Sequence, residues 1–447
     1  MLWILALTAL AADDPFAVDA IVHTLPNGMR VVVEEGHRTD TVALHLHVDV
    51  GSRDERDDER GVAHLFEHLM FEGSANVPNN AYDQWLTAAG GENNAFTSED
   101  ETAYHSTFPS GALDLSLFLE SDRLAFLQAG LDTANLKNQQ DVVLREREQG
   151  YSGANGRDMD AISRVAFAPG HPYHVPVIGT VDAVRGFDLE GVKDFHSRWY
   201  RPSNVVLGVV GNFDKDQALQ RVQHWFSDVP DVGPASDRAV AGGDFGEHQH
   251  GNSAVLIDNV ESWTVYVVWP GVPAGHVDEP SLFLASMVLS GGRGTRLDTL
   301  QFNKSVVEET SVEHWAGEID GLFIASGTVG RPRSQWMAHR IERVARRLSV
   351  EGPSEAELAR AKAATRAMLL GQLVRPEGRA EVLVDCVRLY DNVDCTRTEW
   401  ARVEAVTAEQ VRDAMARLLQ DEPSVLYIHP RFETQSHPVD AVTVELP

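Results

Sequence analysis

Val42, Leu44, Leu46, Val48 and Val50 alternate with Ala43, His45, His47 and Asp49. A period of two predicts a half-buried strand, with His45 and His47 on its solvated face. Upstream, Leu25-Pro26-Asn27-Gly28-Met29 separates two β runs, the second holding Val31-Val32-Val33. Asn-Gly there is a strong hairpin signal. The pattern then turns helical. Residues 62–71 form an apolar run interrupted by His64, Glu67 and His68. Further helices are predicted at residues 81–89, 113–127, 135–149 and 189–199, with strands alternating between them.

One order of elements occurs twice. Val181-Asp182-Ala183-Val184 precedes the helix at 189–199 and an apolar strand at 204–210. Val403-Glu404-Ala405-Val406 precedes a helix at 408–419 and a strand at 424–429. Two versions of one α+β unit are expected. Each would be a mixed, mostly antiparallel sheet with helices packed on it. The N-terminal domain would span 13–232 and the C-terminal domain 251–447, joined by a Gly-, Pro-, Asp- and Ala-rich linker at 233–250. The second copy has no His-x-x-Glu-His. Its helix at 355–373, opened by Ser354 and Glu357 in capping-box spacing, takes the place of 135–149 and offers no ligand set.

Size agrees with two domains, since 447 residues exceed one ordinary core. A hydrophobic content of 43% marks a folded globular protein. The formal charge of −29 disfavours nucleic acid and anionic membranes as partners. The charged run at 53–60 reads as a mostly solvated loop, serving solubility more than attraction of basic peptides. Residues 1–12 read as a short secretory signal without a basic start, too short to span a bilayer. Export is therefore expected. No other stretch is long and apolar enough to cross a membrane. Cys386 and Cys395 are the only cysteines; in an exported protein they would pair, around a turn at Asp391-Asn392.

The chemistry lies in His64-Leu65-Phe66-Glu67-His68. On a helix, positions four apart share a face. Two neutral imidazoles there can hold one metal ion, and Glu67 sits within reach of a water on that ion. This is the inverted form of a zinc-peptidase signature. Three ionisable groups in an apolar run are costly to bury without such compensation. Zinc needs a third protein ligand and an open fourth position. The helix at 135–149 carries Glu146 one turn beyond Val142 and Val143, facing the core with them, while Glu148 points to solvent. Glu72, Glu92, Glu99 and Glu101 are acidic alternatives, and helical phase favours Glu146.

Several blocks resemble the pitrilysin/insulinase family of zinc metallopeptidases, in its two-domain processing-peptidase-like branch. They are His64 to Ser74, Gly90-Gly91-Glu92-Asn93-Asn94-Ala95-Phe96-Thr97 with Thr102-Ala103-Tyr104, and Asp141 to Glu146. His171-Pro172-Tyr173, Pro176 to Thr180 and Trp199 to Asn204 follow in order. The resemblance implies a clamshell of two domains and one Zn2+ held by His64, His68 and Glu146. It implies Glu67 as general base in peptide hydrolysis, and a substrate strand at Asn94, Ala95 and Phe96. Arg296, within Gly291 to Leu297, would grip a substrate carbonyl or carboxylate; its other reading is a surface ion pair. Two places depart from the pattern. Gln139 stands seven residues before Glu146 where a second Glu is usual, and residues 305–310 lack the Tyr expected beside the Arg. The implied partners are peptides and a second, identical or related subunit. A non-catalytic peptide-binding scaffold, and the metal-bearing half of a heteromeric peptidase, are the alternative readings.

Overall fold

The computed structural model describes residues 14–153, 156–230, 232–236, 238, 248–303, 306–330, 332–431 and 442–443. The expected signal at 1–12, and most of the expected linker, lie outside the described residues. Two six-stranded sheets form the frame. The first uses β1 (Ala20–Thr24), β2 (Arg30–Glu35), β3 (Thr41–Val48), β4 (Glu92–Thr97), β5 (Thr102–Pro109) and β6 (Val205–Gly211), in the order β1-β2-β6-β3-β5-β4. The second uses β7 (Ser253–Asp258), β8 (Trp263–Pro270), β9 (Val307–Ala316), β10 (Gly321–Val329), β11 (Ser424–Pro430) and β12 (Val442–Thr443), in the order β12-β7-β11-β8-β10-β9. From β2 to β4 and from β7 to β9 the two orders match position for position, and only the outer strand differs, β1 being antiparallel to β2 and β12 parallel to β7. β6 is parallel to β2 and antiparallel to β3, as β11 is to β7 and β8. The two copies are one unit used twice.

Local chemistry sets the elements. The Asn27-Gly28 turn closes β1 on β2 in antiparallel register, with Gly28 at φ +89°. The Asn27 side chain donates to the carbonyls of Phe226 and Val229, tying the hairpin to the domain behind it. The helices Ala81–Ala88, Leu113–Gly130, Thr133–Ser152 and Leu189–Trp199 lie where the periodicity places them. In the repeat the copies differ slightly. Residues 181–184 open a short helix of their own, Val181–Gly186, whereas residues 403–405 end the longer helix Cys395–Ala405.

Each sheet is covered on its second face by a helix from the other copy. Helix Pro376–Tyr390 lays Ala380, Leu383, Val384 and Val387 on Val32, Ala43, Val206 and Val210 of the first sheet. Gly208 of β6 lies beneath it; a Cβ there would stand 2.7 Å from Val384 Cγ2. Helix Asp158–Ala166 places Ala161, Ile162, Val165 and Ala166 on Ala254, Leu256, Val268, Ile324, Leu426 and Ile428 of the second sheet.

This exchange corrects the expectation for β3. Its alternation is as expected, but His45 and His47 are 3% and 0% exposed. The face read as solvated lies under Pro376–Tyr390. The nitrogens of His47 are 3.1 Å from Asp49 and 3.1 Å from Glu101. Burial works against a charged imidazole there, yet the two carboxylates raise its pKa. The charged run is also corrected. Arg53 and Glu55 are buried and Asp57 is fully exposed. Arg53 meets Asp100 at 2.7 Å, and it also meets Glu318 from the β9–β10 turn. Arg388 on the crossing helix pairs with the same Glu318. Arg238 approaches Asp49 and Asp54, both at 3.2 Å. Cys386 and Cys395 are disulfide-bonded around Asp391, so the crossing helix is stapled to the next. Among the described residues no helix is long and apolar enough to cross a membrane.

Leu383 is fully buried where the crossing helix meets the first sheet. Leu383→Ala should lower the unfolding free energy by about 2–4 kcal/mol, measured by urea denaturation. A loss below about 1 kcal/mol would show that this helix is not part of the first domain's core.

Candidate metal centre

The motif helix is Val62–Leu69. It buries Val62, Ala63, Leu65, Phe66 and Leu69, so His64, Glu67 and His68 face the other way. Its N-terminus has no capping side chain of its own. Gly61, at φ +96°, stands there, and a Cβ on it would lie 2.8 Å from the Cα of Gly179. The orphan N–H groups of a helix start need acceptors. Glu55 supplies them, accepting from Gly61 N at 2.9 Å and Ala63 N at 2.8 Å. Burial pushes its carboxyl up to about 8.

The second helix, Thr133–Ser152, is capped by Asp132, whose carboxylate accepts from the N–H groups of Ala134 and Asn135. Asn135, Leu136, Val143 and Arg147 fix its buried side. Glu146 does not share the core with Val143. Its side chain is 51% exposed and lies over the motif helix, because the turn that buries Val143 and Arg147 points Glu146 into the groove. Its Oε2 is 3.1 Å from His68 Nε2 and 3.8 Å from His64 Nε2. All three donor atoms lie within 4.8 Å of one another. Two imidazole nitrogens and one carboxylate oxygen, set this closely and open to solvent on one side, suit zinc with a vacant fourth position. None of the other acidic candidates joins this cluster, Glu99 lining a recess beside Glu146 instead. Glu72 accepts from Gln139 at 2.5 Å, Glu92 is exposed on β4, and Glu101 faces His47. A second cluster, His47, Glu101 and Asp385, has comparable spacing. Arg388 stands 3.4 Å from each of its carboxylates and supplies its positive charge.

The electrostatics suit this arrangement. Burial, together with His68, lowers His64 to about 4 against the pull of Glu146, so it is a neutral donor at pH 7. The hydrogen bond from His68 holds Glu146 below the usual carboxylate range. Burial raises Glu67, and a hydrogen bond from Thr97 opposes that rise. Thr97 Oγ1 donates to Glu67 Oε2 at 2.5 Å. Neither Thr97 nor Glu55 has a side-chain role legible in the sequence. The only signal for either is that Thr97 ends the block Asn94 to Thr97 and Glu55 precedes the motif.

β4, with Asn94, Ala95 and Phe96, is the outermost strand of its sheet and pairs on one side with β5. Glu67 meets the end of this strand through Thr97. Arg296 lies in the other domain, bound to Glu357 at 2.8 and 3.0 Å and to the Gly352 carbonyl at 2.7 Å. The remaining motif blocks hold the frame. Tyr173 donates to Asp100 at 2.6 Å and accepts from Ile319 N at 3.1 Å. The Tyr200 and Tyr104 hydroxyls meet at 2.7 Å. Asn204 donates to the carbonyls of Asp49 and Trp199.

Residues 30–169 match the model of the insulinase family (peptidase family M16), and residues 186–365 match the peptidase M16 inactive domain. The chain belongs to the M16 peptidase family. It is 23% identical to the uncharacterized zinc protease YmxG of Bacillus subtilis over 415 residues, covering 91% of this chain and 98% of that one. It is 24% identical to the mitochondrial-processing peptidase subunit beta of Caenorhabditis elegans, covering 90% and 88%. In fold it is similar to a protease from Helicobacter pylori, with a TM-score of 0.84 and 21% identity over 92% of this chain and 100% of that one. The second match begins at residue 186, inside the first copy, and runs on through much of the second. The part that resembles the inactive domain has no His-x-x-Glu-His.

Glu55 gives a stability test of how the motif helix is held. Glu55→Ala would leave two buried N–H groups unpaired, at a cost of about 2 kcal/mol. Its carboxyl binds a proton more tightly folded than unfolded, so its contribution is full below the unfolded pKa near ~4.3 and is lost as pH rises through about 8. Urea titrations should therefore show the wild type losing stability relative to Glu55→Gln across that window. Parallel pH profiles would disprove the assignment.

Proposed function

We propose that this M16 chain is a zinc-dependent endopeptidase acting on peptides or unfolded segments in extended form. The observation that carries the reading is the convergence of His64, His68 and Glu146, with Glu67 beside them at the end of an open strand edge. His64, His68 and Glu146 would hold the zinc, which when bound would supply a water of lowered pKa and an electrophilic contact for the carbonyl. Glu67 takes the proton of the attacking water and delivers it to the leaving amine. The free edge of β4 pairs with the peptide backbone, which orients one bond with little regard to side chains. Beside Glu146 a recess of about 330 Å³ is lined by Glu99, Tyr151, Met159 and Asp160. Burial raises both acids, Asp160 to about 6. A basic substrate side chain seated there would favour their ionised forms.

We also infer export. The apolar N-terminal run and the Cys386–Cys395 bond support it, since such bonds persist outside the reducing cytosol. A second reading is favoured by Arg296. Glu357 and Gly352 hold its Nε and Nη2, and the expected Tyr is missing, so a related chain would complete the substrate grip. The scaffold reading is opposed by the intact motif.

The test combines metal analysis with cleavage of a mixed peptide library, with and without chelator. About one zinc per chain and chelator-sensitive cleavage are expected. Glu67→Gln should keep the metal and lose at least about 10²-fold in turnover. Less than about a tenth of an equivalent of zinc would favour the scaffold. Stoichiometric zinc with no cleavage until a related chain is added would select the heteromeric reading. Full activity in Glu67→Gln would overturn the assigned base.

A further inference from the structure

We propose that Thr97 is a positioning residue for the general base, and that through it the strand receiving the peptide also orients Glu67. The proposal rests on the peptidase reading above.

Glu67 hangs from a helix that fixes its Cα but not its carboxylate, since three side-chain torsions lie between them. The helix face leaves it half-buried beside His68 and Glu146. Thr97 Oγ1, at 2.5 Å from Oε2, is the hydrogen-bond partner that fixes one carboxylate oxygen. The other oxygen is left for the water. When the proton lands on that other oxygen, Oε2 becomes the carbonyl oxygen of the acid and still accepts from the Thr97 hydroxyl. The contact therefore survives the moment at which Glu67 holds the proton, so the base is oriented both when it takes the proton and when it returns it.

Thr97 can do this only if it is itself fixed. It pairs with Thr102 at the end of the β4–β5 ladder. Thr102 is fully buried, and its hydroxyl donates to the Val50 carbonyl at 2.9 Å. The turn that follows is held by Ser98 N to Glu101 O at 2.8 Å, Ser52 N to Ser98 O at 3.1 Å and Arg53 N to Glu99 O at 3.0 Å. At Gly51 the backbones are so close that a Cβ would lie 2.3 Å from the Glu99 carbonyl oxygen. The strand end is thus a rigid support of the kind a catalytic group needs. A peptide pairing along β4 and the carboxylate that serves its scissile bond then take their positions from one strand.

The test compares Thr97→Val, which keeps the shape and removes the hydroxyl, with Thr97→Ser, which keeps the hydroxyl. Thr97→Val should lower kcat about 10–100-fold, with KM within about twofold and metal content unchanged. Thr97→Ser should stay within about threefold of wild type. Crystal structures supply a readout independent of turnover: one Glu67 rotamer in wild type and Thr97→Ser, and loss of that rotamer in Thr97→Val. A Thr97→Val enzyme with wild-type kcat, a Thr97→Ser enzyme as slow as the Val variant, or an unmoved Glu67 in Thr97→Val would each overturn the proposal. A wild type that holds zinc and cleaves nothing, alone or with a related chain added, would count against the peptidase reading instead, and the rotamer comparison would still decide the role of Thr97.

Discussion

A helix of eight residues, Val62–Leu69, must lie in one place for any of this chemistry to exist. Alone in water a helix that short has almost no stability, so its position comes wholly from its surroundings. Glu55 and the Gly61–Gly179 approach hold its start. At its exit, Gly130 comes so close to Gly73 that a Cβ would stand 2.0 Å from the Gly73 carbonyl oxygen. Glycines are required there by space, not by flexibility. With both ends fixed, the spacing of His64 and His68 follows from helix geometry, and one long helix passing over the groove has only to bring in Glu146. The price of this accuracy is a buried carboxyl at Glu55 that would rather be neutral.

The duplicated unit explains why there is one such site. Both copies build the same five strands of their sheet, and both place a long helix between the hairpin at its edge and the strand that returns to its centre. In the first copy that helix, Thr133–Ser152, turns Glu146 toward two imidazoles. In the second, Glu355–Val374 begins with a Ser354–Glu357 capping box, and Glu357 is spent on Arg296. Glu357 thus stabilises a helix end and an ion pair, and at the position matching Glu146 the second helix carries Met368, so no carboxylate is offered there. Exchange of the crossing helices makes each copy depend on the other. Pro376–Tyr390 completes the first domain and Asp158–Ala166 completes the second, so neither sheet has a solvated face along its central strands.

Local patterns in the sequence were informative wherever local physics decides the outcome. The alternation in β3, the hairpin at Asn27-Gly28 and the cluster His64, Glu67, His68 need only neighbouring residues, and all are legible. Exposure is not, because it depends on what arrives from far along the chain. His45 and His47 alternate as a solvated face should, yet a helix beginning at Pro376 buries them. The run at 53–60 is charged throughout, yet Arg53 and Glu55 turn inward, because Glu318 and the start of the motif helix supply partners that lie far away or depend on the tertiary path. Glu146 shows the same limit. Helical phase singles it out, but by assigning it to the core beside Val143, whereas it occupies the exposed rim where the two helices cross. Thr97 had no local signature at all: a threonine in a strand is ordinary until the opposite helix is known.

The seam between the domains bears on the site through one turn. Asp100 accepts from Arg53, Tyr173 and the backbone N–H of Glu318. Glu101 meets His47 and Arg388. Both residues belong to the turn that joins β4 to β5, three and four positions beyond Thr97. Charges that looked like solubility are therefore, in part, the means by which one domain registers the other. Buried ion pairs of this kind add little net stability, because desolvation offsets their attraction; what they do supply is a fixed geometry. The second domain, through Glu318 and Arg388, fixes the turn, the turn fixes the end of β4, and the end of β4 fixes the hydroxyl that orients Glu67. The half of the molecule without His-x-x-Glu-His thus has a structural path to the half that carries it.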